Sequence, residues 1–202
     1  MKLLLLFSAL FIVSNTLYAS RNFTVDLKTF EEDNWSKEEL SAIKEATEFV
    51  FDHIHTYKVA TCAYRNSYRE PSKDKLRKKW GNQIPVLNKT DKVAISIKKK
   101  KLEKRVLGEA VVGTVAIDKK MYRIYNLEIT LNGDQIHSHL SRDKNKKDLR
   151  GLWANVIAHE IAHNFGYRHG SRGSWSDDYP GYFVTELGYC VESMGKFGSK
   201  KK

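Results

Sequence analysis

The sequence predicts an α+β domain in which one helix precedes a group of strands and a second helix follows them. Three observations support this: apolar residues recur at helical spacing after Ser36, apolar residues alternate from Val93 to Ile97, and His159 and His163 stand four positions apart. Strands and helices that occupy separate stretches of the chain are typical of the α+β class.

The first 19 residues have the composition of a secretory signal peptide. Lys2 precedes an apolar run from Leu3 to Val13, and small and polar residues then lead to Ala19, after which we expect cleavage. The run is shorter than the roughly 20 residues of a membrane span. We therefore expect a secreted protein, extracellular or periplasmic, with a tethered N-terminus as the alternative. Residues 20–202 are long enough for a single domain.

The first helix is predicted to begin near Ser36, because Ser36 and Glu39 form a capping-box pair. Apolar side chains then recur at helical spacing. They are Leu40, Ile43, Ala46, Val50, Ile54 and Tyr57. This apolar face predicts a helix that covers a sheet. His53 and His55 cannot share one face of a helix, and we interpret them as surface or packing residues.

The segment from Arg65 to Lys92 is predicted to be a long loop. It is polar and rich in charge, and Pro71, Gly81 and Pro85 are residues that commonly break regular structure. One short amphipathic piece is expected around residues 76–80.

Three strands are predicted between this loop and the second helix. The first covers the alternating residues Val93 to Ile97, and the second runs from Ala110 to Ile117, with Gly113 interrupting it. The third runs from Met121 to Leu131 and follows a tight hairpin at residues 118–120.

The second helix is predicted to begin between Ser141 and Asp148 and to run to Phe165. Its apolar residues anchor it to the core. They are Leu149, Leu152, Trp153, Val156 and Ile157.

This helix carries a pattern of residues that suits a zinc ion. His159 and His163 lie one turn apart on the same face, so that their imidazoles can share one ion. Glu160 is rotated by about 100° from His159, outside the ligand pair but within reach of a metal-bound water. Gly166 can adopt the left-handed conformation that ends a helix, and the resulting turn lets His169 return as a third ligand.

Three histidine ligands leave one open position on a tetrahedral zinc, which is typical of a catalytic site. Zinc lowers the pKa of its bound water towards about 7 and polarises a carbonyl group. Glu160 would then act as the general base, taking the proton from the water and passing it to the leaving nitrogen. This chemistry predicts hydrolysis of peptide bonds.

The segment from His159 to His169 resembles the metzincin pattern H-E-x-x-H-x-x-G-x-x-H at every fixed position. Metzincins are zinc endopeptidases, so the resemblance implies zinc as cofactor and a protein or peptide as substrate. It also implies a metzincin-like (zincin) fold, with a mixed twisted sheet, a backing helix and an active-site helix.

The resemblance implies further site residues. Met194 would form the methionine turn beneath the metal. Some branches of the family have a tyrosine two residues after that methionine, where this chain has Lys196, and Tyr182 and Tyr189 are looser candidates for its role. An antiparallel edge strand near residues 108–114 would line the substrate cleft, and a paired interior strand is the alternative.

The only cysteines are Cys62 and Cys190, and in an exported protein such a pair suggests one disulfide. Two alternatives stay open: a free buried thiol, or a Cys62 that caps the zinc in a latent form. The residues around Cys62 do not match the motif of the cysteine switch in matrixins.

The chain is basic, since 35 Lys and Arg against 24 Asp and Glu give a net charge of +11. Such a charge favours anionic partners, for example an anionic surface bound through the runs Lys98–Lys101 and Lys200–Lys202, although each run also suits a solvated loop. Aromatic residues do not interleave with these runs, so we expect no specific nucleic-acid partner. We expect a monomer without a membrane span.

Two other functions fit the sequence. The first is a secreted basic binding protein with a structural zinc, and Glu160 distinguishes the two because a structural site needs no acid beside an open coordination position. The second is a zinc amidase that acts on cell-wall peptide.

Overall fold

A computed structural model of the chain describes residues 24–27, 35–90, 92–142, 146–169 and 180–195. The predicted signal peptide at residues 1–19, Lys196 and the basic run Lys200–Lys202 lie outside these residues. Within them the chain forms six helices and a mixed sheet of five strands, an α+β arrangement as predicted.

The helices are α1 Lys37–His53, α2 Tyr57–Asn66, α3 Lys73–Lys89, α4 Gly133–Arg142, α5 Lys146–Asn164 and α6 Phe183–Glu192. The strands are β1 Thr24–Leu27, β2 Lys92–Lys100, β3 Gly108–Ala110, β4 Ala116–Asp118 and β5 Arg123–Asn132.

The sheet has the order β1-β2-β5-β3, and β4 also pairs with β5. Strands β1, β2 and β5 are parallel, whereas β3 and β4 run antiparallel to β5. β3 pairs with residues 129–131 and β4 with residues 123–125, so both lie on the side of β5 away from β2. Gly113, at φ +79°, separates them, and the predicted single strand from Ala110 to Ile117 is therefore two short strands.

Helix α1 begins as the sequence predicted, with the Ser36 and Glu39 side chains each accepting a hydrogen bond from the other residue's backbone. It ends at His53, earlier than the apolar spacing suggested. Thr56 then caps a new helix, α2, by accepting a hydrogen bond from the Val59 N–H. Tyr57 belongs to this second helix and is 85% exposed, so its place in the buried stripe was wrong.

The prediction of a long loop from Arg65 to Lys92 was wrong. Helix α3 occupies most of this segment, with Ser72 as its N-cap and Pro85 in its interior. A proline inside a helix costs about 3 kcal/mol relative to alanine. Helix α3 buries four apolar side chains, and each such burial contributes roughly 1.5–3 kcal/mol, which outweighs that cost. They are Leu76, Trp80, Val86 and Leu87.

Helix α5 is central to the fold, because it packs against α1 and α6 as well as against β3 and β5. Its side chains Trp153, Ile157 and Ile161 are almost fully buried in one core with residues of β2 and β5. This packing supports the histidines on a helix with little freedom to move. No helix in the described ranges combines the length and the apolar character that a membrane crossing requires.

Cys62 of α2 and Cys190 of α6 form a disulfide, with 5.9 Å between their Cα atoms. The bond excludes both alternatives for these cysteines, since Cys62 is neither a free thiol nor available to cap a metal ion. Disulfides are typical of proteins in oxidising compartments, and this one is compatible with an extracellular protein.

Candidate metal centre

The turn that follows α5 brings the third histidine back towards the first two. Gly166 has φ +83° and donates its N–H to the carbonyl of His163 at 2.8 Å, while the Tyr167 N–H donates to the carbonyl of Ala162 at 3.1 Å. This pair of bonds is the Schellman motif, which needs a left-handed residue and therefore favours glycine. The predicted glycine turn is confirmed.

His159, His163 and His169 converge on one point. The Nε2 atom of His169 lies 3.1 Å from Nε2 of His159 and 3.2 Å from Nε2 of His163. In a tetrahedral zinc site with bonds of 2.0–2.1 Å, the ligand nitrogens are about 3.3 Å apart. The three imidazoles therefore form a group that can bind one metal ion.

Burial favours the neutral form of these imidazoles, which can bind a metal, and a hydrogen bond fixes which nitrogen of His163 is free to do so. The Nδ1 atom of His163 lies 2.9 Å from the carbonyl oxygen of Tyr167. A carbonyl only accepts, so Nδ1 carries the proton and Nε2 keeps its lone pair for a metal. Burial lowers the pKa of His159 well below its usual value, and it also lowers the pKa of His163 and brings that of His169 to about 4. At neutral pH all three are uncharged, which is the form that binds metals.

Glu160 lies beside the histidines with its side chain against strand β3. It is buried, at 4% exposure. A Cβ atom on Gly108 would lie 3.2 Å from the Glu160 carboxylate and 2.9 Å from Cγ1 of Val156. A glycine at the start of β3 is therefore what lets this strand approach α5 so closely. Among the described strands, β3 stands last in the order of the sheet, which agrees with the prediction of an edge strand there.

A cavity of about 270 Å³ opens between β3, α5 and α6. Both Glu160 and His159 line it, so the carboxylate and the metal-binding group face the same space. The other lining residues are Leu107, Gly108, Leu152, Asn155, Val156, Thr185, Tyr189 and Glu192.

Helix α3 supports the turn that carries His169. The Lys79 ammonium donates to the carbonyl of Gly166 at 2.7 Å and lies 3.9 Å from the centre of the Tyr167 ring. The Tyr167 hydroxyl donates to Oε1 of Gln83 at 2.8 Å. Sequence reasoning missed these residues, because it assigned their helix to a loop. The recurrence of Leu76, Trp80, Gln83 and Leu87 at helical spacing is the signal that could have found it.

Asn164 supports the other side of the same segment. Its Oδ1 accepts from the Glu128 N–H at 2.7 Å and from the Thr114 hydroxyl at 3.0 Å. Its Nδ2 donates to the carbonyls of Glu128 and Glu160. This buried amide joins α5 to strand β5 and to the segment between β3 and β4. Its position directly after His163 was the only sequence signal for it.

The remaining predicted residues lie around this centre. Met194 follows α6, where its N–H donates to the carbonyl of Val191, and it packs partly buried against the core. Its place beneath a metal stays a prediction. The ring of Tyr182 is 6.1 Å from that of His169, whereas Tyr189 is 45% exposed and lines the cavity.

Comparison of the chain with protein-family models, with curated proteins and with solved structures gave no significant match.

Proposed function

We propose that this protein is a secreted zinc-dependent endopeptidase with a metzincin-like fold. His159, His163 and His169 would hold the zinc ion, and Glu160 would be the general base. The observation that carries this proposal is that the Glu160 carboxylate and the ligand His159 line one cavity. A purely structural metal has no use for an acid beside it, whereas hydrolysis requires one.

When bound, zinc would polarise the carbonyl group of the substrate and lower the pKa of a bound water. Glu160 would accept the proton of that water and deliver it to the leaving nitrogen. Its burial holds the carboxylate in one position next to His159, which supports its role as a positioned base. Asn164 accepts from Glu128 and donates to the Glu160 carbonyl, and it would keep that part of α5 fixed during the reaction.

Strand β3 would bind the substrate backbone. It is short, lies at the end of the described sheet order and contacts α5 beside Glu160. An extended peptide can add its backbone hydrogen bonds to such an edge. A side chain of the bound peptide would then enter the cavity between α5 and α6.

A metzincin-like fold is supported by the spacing of the motif on one helix, by the glycine turn and by the antiparallel β3 next to that helix. In this proposal Met194 forms the methionine turn. The disulfide between Cys62 and Cys190 and the signal-like N-terminus support export from the cell.

The experiment is metal analysis of the purified protein combined with cleavage of a peptide library. We expect one zinc per chain and cleavage that a chelator abolishes. Glu160→Gln should keep the zinc and cut 10²–10⁴-fold more slowly, the range typical of a lost general base. Glu48→Gln removes the same charge from the exposed face of α1 and should cut like wild type.

Two results would contradict the proposal. Cleavage by Glu160→Gln at the wild-type rate would remove Glu160 as the base. A zinc-loaded wild-type protein that cuts no peptide would instead favour a binding protein with a structural zinc.

A further inference from the structure

The cavity beside Glu160 has a wall formed by one face of α6. Thr185, Tyr189 and Glu192 recur at helical spacing and therefore lie on the same side of this helix. Gly188 permits the close contact, because a Cβ atom there would lie 2.3 Å from Oδ1 of Asn155. The wall is thus held tightly against α5.

Glu192 is held in a fixed position on this wall. Asn155 of α5 donates its Nδ2 hydrogen to Oε2 of Glu192 at 2.8 Å. Asn155 precedes His159 by four residues, so the residue that bonds this carboxylate lies one helical turn before the first histidine of the metal-binding group. An ionised carboxylate only accepts hydrogen bonds, and its strongest partners are cationic donors.

The other lining residues suit the same kind of ligand. Leu107, Leu152 and Val156 give the cavity apolar sides. Thr185 is 2% exposed, and its hydroxyl has no hydrogen-bond partner among the described residues. A buried hydroxyl without a partner is costly, and a donor group of a ligand would satisfy it. Among the residues that the structure describes, those that line the cavity include no lysine or arginine.

We propose that Glu192 makes this cavity select a lysine or arginine side chain of the substrate, at a position next to the cleaved bond. The inference rests on the proposed function. At about 270 Å³ the cavity lies near the lower end of the roughly 300–1,000 Å³ of small-molecule pockets, and it has room for one long side chain. The methylene groups of lysine or arginine pack along the apolar sides, and the cationic end reaches Glu192 and Thr185.

Acidic and large apolar side chains would bind in this cavity less favourably. An acidic side chain would be repelled by the carboxylate of Glu192. A large apolar side chain would fill the space but would leave the Thr185 hydroxyl unsatisfied and remove water from Glu192.

The first test is cleavage of a balanced peptide library by zinc-loaded wild type, Glu192→Gln and Glu48→Gln, with every cut mapped by mass spectrometry. We expect wild type to prefer lysine or arginine over leucine on one side of the cut by on the order of tenfold, as for a charge-assisted hydrogen bond. Glu192→Gln can keep the bond from Asn155 while losing the charge, and it should lose this preference. Glu48→Gln, with its change on exposed α1, should retain it.

The second test measures binding without catalysis. In the Glu160→Gln background, labelled peptides of one common sequence that differ only in a single lysine, leucine or glutamate are titrated. We expect the lysine peptide to bind most tightly and the advantage to disappear when Glu192→Gln is added. The melting temperature of each variant checks that the fold is intact.

The outcomes separate this inference from the proposed function. Cleavage by wild type with no basic preference, or with a preference that Glu192→Gln leaves unchanged, would overturn the role of Glu192 while the peptidase stands. If wild type cuts nothing, the peptidase proposal fails. The titrations then decide whether the cavity selects cations, and equal binding of the lysine and leucine peptides would refute it.

Discussion

Helices α3 and α6 both support the segment that carries the histidines, but they do so by different means. Helix α3 packs Trp80 against the turn after α5. It also bonds this turn through two polar side chains, Lys79 to Gly166 and Gln83 to Tyr167. Helix α6 instead packs closely along α5 at Gly188, and the disulfide at Cys190 ties it to α2.

This difference separates the positioning of the metal ligand His169 from the stability of the cavity wall formed by α6. Individual hydrogen bonds contribute roughly 0.5–1.5 kcal/mol, so the polar contacts of α3 with the turn are weak compared with the disulfide and packing of α6. They act, however, on the turn that positions His169. We therefore expect changes in α6 to reduce the stability of the protein and the shape of the cavity. Changes to the polar side chains of α3 that bond the turn should mainly reduce metal affinity.

The largest effect is expected from removal of the disulfide. Cys62 and Cys190 are 128 positions apart, and replacing both by alanine frees a long loop of the unfolded chain. We expect a loss of about 2–5 kcal/mol in the free energy of unfolding, measured by urea denaturation of the zinc-loaded protein. Zinc affinity under native conditions should change little. If this double variant lost affinity for zinc but not stability, the distinction between the roles of α3 and α6 would not hold.

The next effect is expected from Gly188→Ala. The new Cβ atom would meet Asn155 at 2.3 Å from its Oδ1 and 2.8 Å from its backbone oxygen, so the two helices must move apart. We expect a destabilisation of about 1–3 kcal/mol, read from the same denaturation curves. Gly81→Ala in α3 is the matched control, because its Cβ meets nothing within 4 Å and alanine favours a helix. Equal losses in the two variants would argue against close packing at Gly188.

A smaller effect, on the metal rather than on stability, is expected from Gln83→Ala. The substitution removes the acceptor of the Tyr167 hydroxyl and loosens the turn that leads to His169. Groups that bond a metal ligand directly typically change affinity by about 10–100-fold. Gln83 acts one residue further away, through Tyr167, so we expect the lower end. Competition with a chelator of known affinity measures it. Asn82→Ala, on the exposed side of the same helix, should bind zinc as wild type does, and a loss there would contradict the assignment.

The smallest expected effect is the pH dependence that the three histidines give to the stability of the metal-free protein. Burial lowers their pKa values in the folded protein, to about 4 for His169, so below the usual value of 6.5 the unfolded chain binds more protons than the folded one. The metal-free protein should therefore lose stability as the pH falls from 6.5 towards 5 and show no such dependence above 7. Urea denaturation in a chelator at several pH values measures this. A flat profile in wild type would refute the burial effect.

Local signals in the sequence were reliable where neighbouring residues decide the structure. The capping box at Ser36 and the left-handed glycine at Gly166 depend on bonds within a few residues, and both are as predicted. Helix α3 was missed because Pro85 and Gly81 are unfavourable locally, whereas the burial of Trp80 is a contribution from distant partners. Its ring lies edge-on to those of Phe165 and Phe183.

The sequence by itself determined that two imidazoles share one face of a helix, that a glycine ends this helix and that a carboxylate follows the first imidazole, because helical geometry relates residues that are close along the chain. Only the tertiary structure decided that Glu192 faces the same cavity as Glu160, that Gly108 brings β3 against α5, and that α3 supports the turn before His169. These contacts join residues that are far apart in the chain, and they follow from how the helices pack against one another and the sheet.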